Sequence, residues 1–131
     1  MPKVYLTENQ FQLLRDYLQL LETIDEGLVW IISGFLQGRN PGSVQTMLKD
    51  VIHAFHEIHF ANKTISEFLQ EDQKALEAVS GFQTLEDHMK ALIENEHAAS
   101  EQERMMEYVL YPAFVCWLRE IQNTFKSYIV H

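Results

Sequence analysis

The stretch TENQFQLLRDYLQLLETIDEGLVWIISGFLQGRNPG, residues 7–42, decides the fold class. It opens on a capping box, in which the Thr7 hydroxyl and the Gln10 amide can satisfy free N–H groups at a helix start. Apolar residues then recur at helical spacing, namely Phe11, Leu14, Leu18, Leu21, Leu28 and Ile32. Gly38 supplies a C-terminal stop and is followed by turn-forming residues. The stretch therefore predicts one long helix over about residues 8–37.

The same signals predict three further helices. A second helix begins near residue 41 or 43 and carries an apolar stripe to about residue 69. A third begins after the acids at residues 71–72, because acids favour the positive end of the helix dipole. The sequence SEQE at residues 100–103 forms another capping box and predicts a last helix that reaches about Tyr128.

Four helices of matched length with short connections predict an all-α, antiparallel up-down-up-down four-helix bundle. The length of 131 residues suits one domain over residues 1–131. The alternative is five helices, with breaks near residues 62–64 and 80–84, where further capping-box sequences occur and Gly81 precedes one of them. Because the apolar stripes continue across both points, the sequence favours four helices.

The charge balance restricts the possible partners. Nineteen acids against ten bases give a formal net charge of -9, which opposes binding to nucleic acid and to anionic membranes. Most of this charge lies in residues 71–107, where ten acids face three bases. The segment is predicted to be a solvated face that maintains solubility, and the alternative is a docking surface for a basic partner.

Localisation is predicted from features that the sequence lacks. Cys116 is the only cysteine, so no intramolecular disulfide can form. The N-terminal residues do not resemble a signal peptide, and the longest uncharged runs are too short to span a bilayer. We therefore expect a cytoplasmic protein without a membrane partner.

The stretch KDVIHAFHEIH, residues 49–59, holds three of the six histidines and raises the possibility of a metal site. On a helix, His53 points away from the apolar stripe and His56 lies about 140° from its centre. The two histidines could hold Zn²⁺ weakly at the surface, but a built site needs three or four ligands. Glu94, in the Glu-x-x-His sequence further along, also faces outward. The sequence predicts a polar face, no metal and no cofactor.

The uncharged run over residues 27–36 departs from the amphipathic pattern of the first helix. Trp30 points roughly 150° away from the core stripe, and Gly27 and Gly34 flank it on one side. Small residues beside an exposed tryptophan predict an interface formed by Gly27, Trp30 and Gly34, most simply in a homodimer. The alternative is that residues 4–6 or a neighbouring helix cover the tryptophan.

Two single residues give local predictions. Asp25 falls near the core border of the first helix, where it is expected to be a boundary acid hydrogen-bonded to a tyrosine or tryptophan. The alternative is an acid of raised pKa in a pocket. Pro112 is expected to kink the last helix and to free the Tyr108 carbonyl.

The segments DEGLxWI at residues 25–31 and LKDVIxAF at residues 48–55 resemble small uncharacterised helical-bundle proteins of spore-forming Gram-positive bacteria. The resemblance extends over residues 11–60 and includes a fainter similarity to flagellar-type export chaperones. It implies a bacterial cytosolic interaction protein and transfers no catalytic residue.

No motif in the chain nominates a nucleophile, a catalytic base or a phosphate-binding loop. We therefore predict a non-catalytic protein-interaction bundle, acting as an adaptor, a regulator or a chaperone, whose protein partner is unknown. The alternative is a metal-dependent helical-bundle enzyme with an inward-facing site.

Overall fold

The computed structural model describes residues 5–129, so residues 1–4 and 130–131 of the predicted domain lie outside the described part. The helices are α1 (Glu8–Gln37), α2 (Pro41–Phe68), α3 (Gln73–Ser80), α4 (Phe82–Glu94), α5 (Ala99–Met105) and α6 (Tyr111–Ile129), with a π-helical segment (Met106–Leu110) between α5 and α6. Helices α1 and α2 are the first and second rods of the bundle. Helices α3 and α4 together form the third rod, and α5, the π-helical segment and α6 form the fourth. The predicted all-α four-helix bundle is confirmed, with four antiparallel rods around one apolar core.

The ends of α1 follow the local signals in the sequence. The Gln10 N–H donates to Thr7 Oγ1 at 3.2 Å, and the Thr7 N–H donates to Gln10 Oε1 at 3.0 Å, which completes the capping box. Gly38 ends the helix in the left-handed conformation, with φ of 66°. Asn40 then caps α2, since its Oδ1 accepts from the Gly42 N–H at 2.7 Å. This short connection makes α1 and α2 antiparallel neighbours.

Of the two breaks in the five-helix alternative, one occurs. Helix α2 continues through residues 62–64, whereas the third rod is interrupted at Gly81. The indole of Trp117 packs against this glycine, where an added Cβ would lie 3.1 Å from Trp117 Cδ1. Trp117 Nε1 also donates to the Ala78 carbonyl oxygen at 2.8 Å. Trp117 of the fourth rod therefore packs directly against the third rod where that rod is interrupted.

The fourth rod begins two residues earlier than the sequence predicted. Ala98 is the N-cap and gives no side-chain hydrogen bond, so the capping box predicted at residues 100–103 is wrong. Ser100 lies within the first turn. Glu101, between the two residues that define the box, accepts from Arg104 Nε at 3.1 Å.

A π-helical segment lies immediately before Tyr111 and Pro112, where the sequence predicts a kink. The Tyr111 N–H donates to the Met106 carbonyl, one residue further back than in an α-helix. Buried side chains in this rod are spaced four residues apart, at Gln102, Met106, Leu110 and Phe114. In an α-helix each such step advances roughly 40° beyond a full turn, so the series would leave the core. The wider π turn corrects this drift.

Apolar side chains from all four rods fill the core. The largest side chains with almost no exposure include Tyr128, Phe82, Phe114, Phe125, Leu14, Leu21, Ile58 and Ile65. Hydroxyl groups at the edge of this core join the rods: Tyr17 donates to Asn62 Oδ1 at 2.7 Å, and Tyr128 donates to Asp72 Oδ2 at 2.5 Å. Within residues 5–129, no helix combines the length and the apolar character needed to cross a membrane.

Candidate functional site

The two glycines of the predicted interface face α2 of the same chain. Both are buried, and a Cβ added at Gly27 would lie 3.0 Å from Val51 Cγ2. A Cβ added at Gly34 would lie 3.0 Å from Val44 Cγ2. The structure therefore corrects the outward-facing role predicted for Gly27 and Gly34. Their missing side chains allow α1 and α2 to pack closely within one chain.

Trp30 is half-buried, and its cover is a residue that the sequence did not suggest. The guanidinium carbon of Arg39 lies 4.1 Å from the centre of the indole ring system, a cation–π contact. Arg39 Nη1 also donates to the Trp30 carbonyl oxygen at 2.8 Å. Trp30 is therefore not the fully exposed residue that the interface prediction required, since it packs against the core as well as under Arg39. Residue 4 of the predicted cover lies outside the described part.

The outward face of α1 nevertheless remains apolar beside this tryptophan. Val29 is 43% exposed and Leu36 is 72% exposed, with half-buried Ser33 between them. These three residues, spaced four and three apart, form one stripe on the helix. We call them the α1 outer stripe.

The histidine-rich stretch of α2 has the orientation expected from helical phase. His53 and His56 are exposed, and His53 Nε2 lies 3.5 Å from Glu57 Oε1 on the same helix. His59 is half-buried at the boundary, where its Nδ1 lies 3.0 Å from Glu86 Oε2 of α4. Among residues 5–129, no three His, Cys, Asp or Glu side chains converge as a group that could hold a metal ion.

Replacing His53 and His56 together by glutamine is expected to change the free energy of unfolding by less than about 0.5 kcal/mol, as for other exposed substitutions. Urea denaturation followed by circular dichroism measures this change. His59→Gln provides the comparison, because it removes the contact with Glu86. A loss larger than about 2 kcal/mol in the double variant would contradict the exposed, unligated description.

Asp25 is a boundary residue, half-buried on α1 and close to Tyr111 of α6. Burial, the hydrogen bond to Asp25 and the negative charge of that carboxylate raise the pKa of the Tyr111 hydroxyl. The expected boundary position of Asp25 beside a tyrosine is therefore found, and this pairing joins α1 to the fourth rod.

A groove opens at the surface between α2 and α4. Helix α2 packs more sparsely on the third rod than on α1. The resulting groove has a volume of about 430 Å³. Its apolar lining consists of Ile52, Phe55, Met89 and Ile93. Ile93 is 38% exposed, so the apolar lining reaches the surface.

A second opening of about 440 Å³ continues the α2–α4 groove towards α3. The two openings share Gln83 and Glu86 as lining residues. The contact between His59 and Glu86 spans the groove at this point. Polar side chains on α2 and apolar Val79 and Phe82 line the second opening.

The two walls of the groove carry different charges. The α4 wall presents Glu86, Asp87 and Glu94 against one base, Lys90. The α2 wall presents histidines together with one lysine and one glutamate. Acids therefore outnumber lysines around the groove, and they concentrate on α4.

A smaller apolar cleft lies between α1 and α2. Leu13, Leu20, Ile58 and Ala61 line it, and Phe60 stands at its edge with 65% exposure. The ammonium group of Lys63 lies 5.4 Å from the centre of the Phe60 ring. This cleft is separate from the α2–α4 groove, because the two lie on opposite sides of α2.

Neither the α2–α4 groove nor its continuation towards α3 was predicted, although the sequence contains signals for them. The acidic segment over residues 71–107 was recognised as a possible docking surface for a basic partner, and it contains the whole α4 wall. Ile52 and Ile93 stand at the edges of their apolar stripes. Only the pairing of α2 with α4 brings these residues to one groove.

Comparison with known proteins gives a family for the chain. No curated protein and no solved structure matches it. A family model described as a domain of unknown function, DUF8042, matches residues 12–120. The match extends from α1 into α6 and so includes parts of all four rods. The chain belongs to the DUF8042 domain family.

Proposed function

We propose that this chain is a non-catalytic protein-interaction bundle of the bacterial cytosol, which acts as an adaptor, a regulator or a chaperone-like protein. The observation that carries the proposal is that apolar side chains line open grooves beside a core that is already filled. Leu36, Phe60 and Tyr108 are strongly exposed, while the core-facing positions of the same helices are occupied by other buried side chains. Apolar side chains grouped in an open groove commonly mark a site of protein interaction.

The shape and charge of the surface also support binding over catalysis. The α2–α4 groove and the α1–α2 cleft are open, and apolar side chains form much of their lining. Helical partners commonly bind to bundles in such grooves. The resemblance to small bacterial helical proteins supports the proposed bacterial, cytosolic setting.

Metal analysis of purified, untagged protein tests this function against a metal-dependent enzyme. We expect transition metals well below one ion per chain after dialysis against a chelator. The variant with both His53 and His56 replaced by glutamine is the control for weak surface binding. A stoichiometric metal that survives dialysis in this variant would overturn the non-catalytic proposal.

Self-association is the second part of the proposal, and the α1 outer stripe supports it better than the glycines do. A two-fold contact is self-complementary, so one apolar stripe is sufficient for a homodimer. We expect a dimer at tens of micromolar in sedimentation velocity and a helical monomer for Leu36→Glu, because the change places a charge at the contact. The control is Gln37→Glu, which adds a charge on the same turn. A monomeric wild-type protein would refute the dimer.

A further inference from the structure

Beyond the general interaction function, the α2–α4 groove has the properties of a binding site for one kind of partner. It is apolar at its base, where Phe55 and Met89 are buried, and it remains open at the surface, where Ile93 is partly exposed. Apolar side chains of a partner can therefore reach apolar contacts without any rearrangement of the core.

The dimensions of the groove favour a helix. Its lining on α2 extends from Ile52 to Glu67. At the rise of an α-helix this corresponds to roughly 22 Å, or about four turns. A partner helix of this length would place apolar residues against the apolar lining of the first opening and against Val79 and Phe82 of the second, as in other helix-in-groove complexes.

The charges of the groove favour a basic partner. Glu86, Asp87 and Glu94 lie along the α4 wall, with Lys90 as its one base. The C-terminal end of α4 adds the negative pole of its helix dipole near Glu94. Lysine or arginine side chains beside the apolar stripe of a partner would complement this wall.

A second copy of the chain fits this wall poorly. With a net charge of -9, another copy brings predominantly acidic helices, and like charges placed opposite each other disfavour association. The α1 outer stripe, which carries no charge, is the surface suited to self-association. The α2–α4 groove therefore calls for a different protein.

We propose that the α2–α4 groove binds a basic amphipathic helix of a partner protein, with its apolar stripe between α2 and α4 and its basic residues along the α4 wall. This proposal rests on the interaction function above and names the site and the chemistry of the partner. A basic side chain of the bound helix can also compete with His59 for Glu86, since that contact spans the groove.

A designed peptide tests the proposal directly. The probe is a fluorescent peptide of about four helical turns, with leucines on one face and lysines on the other. Two further peptides serve as controls: one has glutamate in place of lysine, and the other has the same composition in a scrambled order. Fluorescence anisotropy should detect binding of the basic amphipathic peptide and of neither control peptide.

Matched variants of the protein locate the binding. Asp87→Lys with Glu94→Lys reverses two exposed charges of the groove, and Glu22→Lys with Glu120→Lys makes the same change in net charge on α1 and α6. We expect the groove variant to bind the peptide at least about tenfold more weakly and the control variant to bind within about threefold of wild type. Circular dichroism checks that both variants stay helical.

A second pair of variants tests the apolar contact between the peptide and the groove. Ile93→Ser shortens a side chain that is 38% exposed in the groove, and Tyr108→Ser shortens one that is 68% exposed and does not line the groove. We expect only Ile93→Ser to weaken peptide binding, by about fivefold to tenfold.

Three results would overturn the proposal: no binding of the basic peptide, equal weakening by the groove and control variants, or binding of the scrambled peptide as tight as that of the amphipathic one. Equal weakening would show that the peptide is attracted to the overall negative charge of the protein and does not bind at a particular site. These outcomes leave the broader interaction function standing, whereas a stoichiometric, chelator-resistant metal would overturn that function itself.

Discussion

Replacement of Gly27 by leucine is expected to lower the free energy of unfolding by about 3 kcal/mol. The first added carbon would already lie 3.0 Å from Val51 Cγ2, and the rest of the leucine side chain has no space between α1 and α2. Leucine favours the helix more than glycine does, by somewhat under 1 kcal/mol, but the steric strain exceeds this gain. Urea denaturation followed by circular dichroism measures the change.

Two variants separate this contact from other effects. Gln19→Leu places a leucine at an exposed position of the same helix and should change stability by less than about 0.5 kcal/mol. Adding Val51→Ala to Gly27→Leu should recover part of the loss, because it removes the atoms that clash. If Gly27→Leu changed the oligomeric state and left the stability unaltered, the outward role first predicted for this glycine would be restored.

Replacement of Trp117 by alanine is expected to have a still larger effect, a loss of about 4 kcal/mol. The indole is buried beside Phe82 and Phe114, with ring centres 5.0 and 6.2 Å away. It also fills the space that Gly81 leaves and bonds to the Ala78 carbonyl. The variant therefore loses packing and a hydrogen bond at the one interruption of the third rod. Thermal and urea unfolding measure the loss.

Trp117→Phe separates the two contributions. It keeps an aromatic ring in the core but removes the Nε1 donor, so we expect a smaller loss of about 1–2 kcal/mol. The Ala78 carbonyl still accepts from the Gly81 N–H at 3.2 Å in this variant, which limits the cost. Stability of Trp117→Phe equal to that of wild type would contradict a role for the hydrogen bond.

Local chemistry explains which helix ends could be predicted. The capping box at Thr7 and the left-handed turn at Gly38 depend on residues close in sequence, and both occur as expected. The box at residues 100–103 has the same letters, yet the helix begins at Ala99. A capping pattern states which hydrogen bonds are possible at a position, whereas packing of Gln102 and Met106 into the core determines which helix start is used.

The error over Gly27 and Gly34 has a physical origin. A hydropathy pattern gives weight to apolar side chains, and glycine contributes almost none, so a glycine that is buried by close helix packing is assigned to the outside. The predicted stripe was centred too far towards Phe11, Leu18 and Ile32, which are only half-buried. Fully buried Ile24 and Ile31 mark the true centre.

The α2–α4 groove could not be predicted from the periodicity of either helix. Each apolar stripe indicates which side of its own helix is buried. The groove depends instead on the distance between α2 and α4, which are separated in sequence by α3. The acidity of α4 was visible in the sequence. That this acidity borders an exposed apolar opening follows only from the assembled bundle.

The close packing of α1 on α2 also has a consequence for the order of folding. A connection of three residues joins these helices, so bringing them together costs little loop-closure entropy, whereas contacts between α1 and α6 close a loop of most of the chain. Local pairs of this kind form quickly, and we expect the α1–α2 hairpin to assemble before the remaining rods dock on it. The α2–α4 groove then lies between the α1–α2 hairpin, which folds first, and the third rod, which docks on it later. In native-state hydrogen exchange, the amides of α4 should therefore open at lower free energy than those of α1 near Gly27.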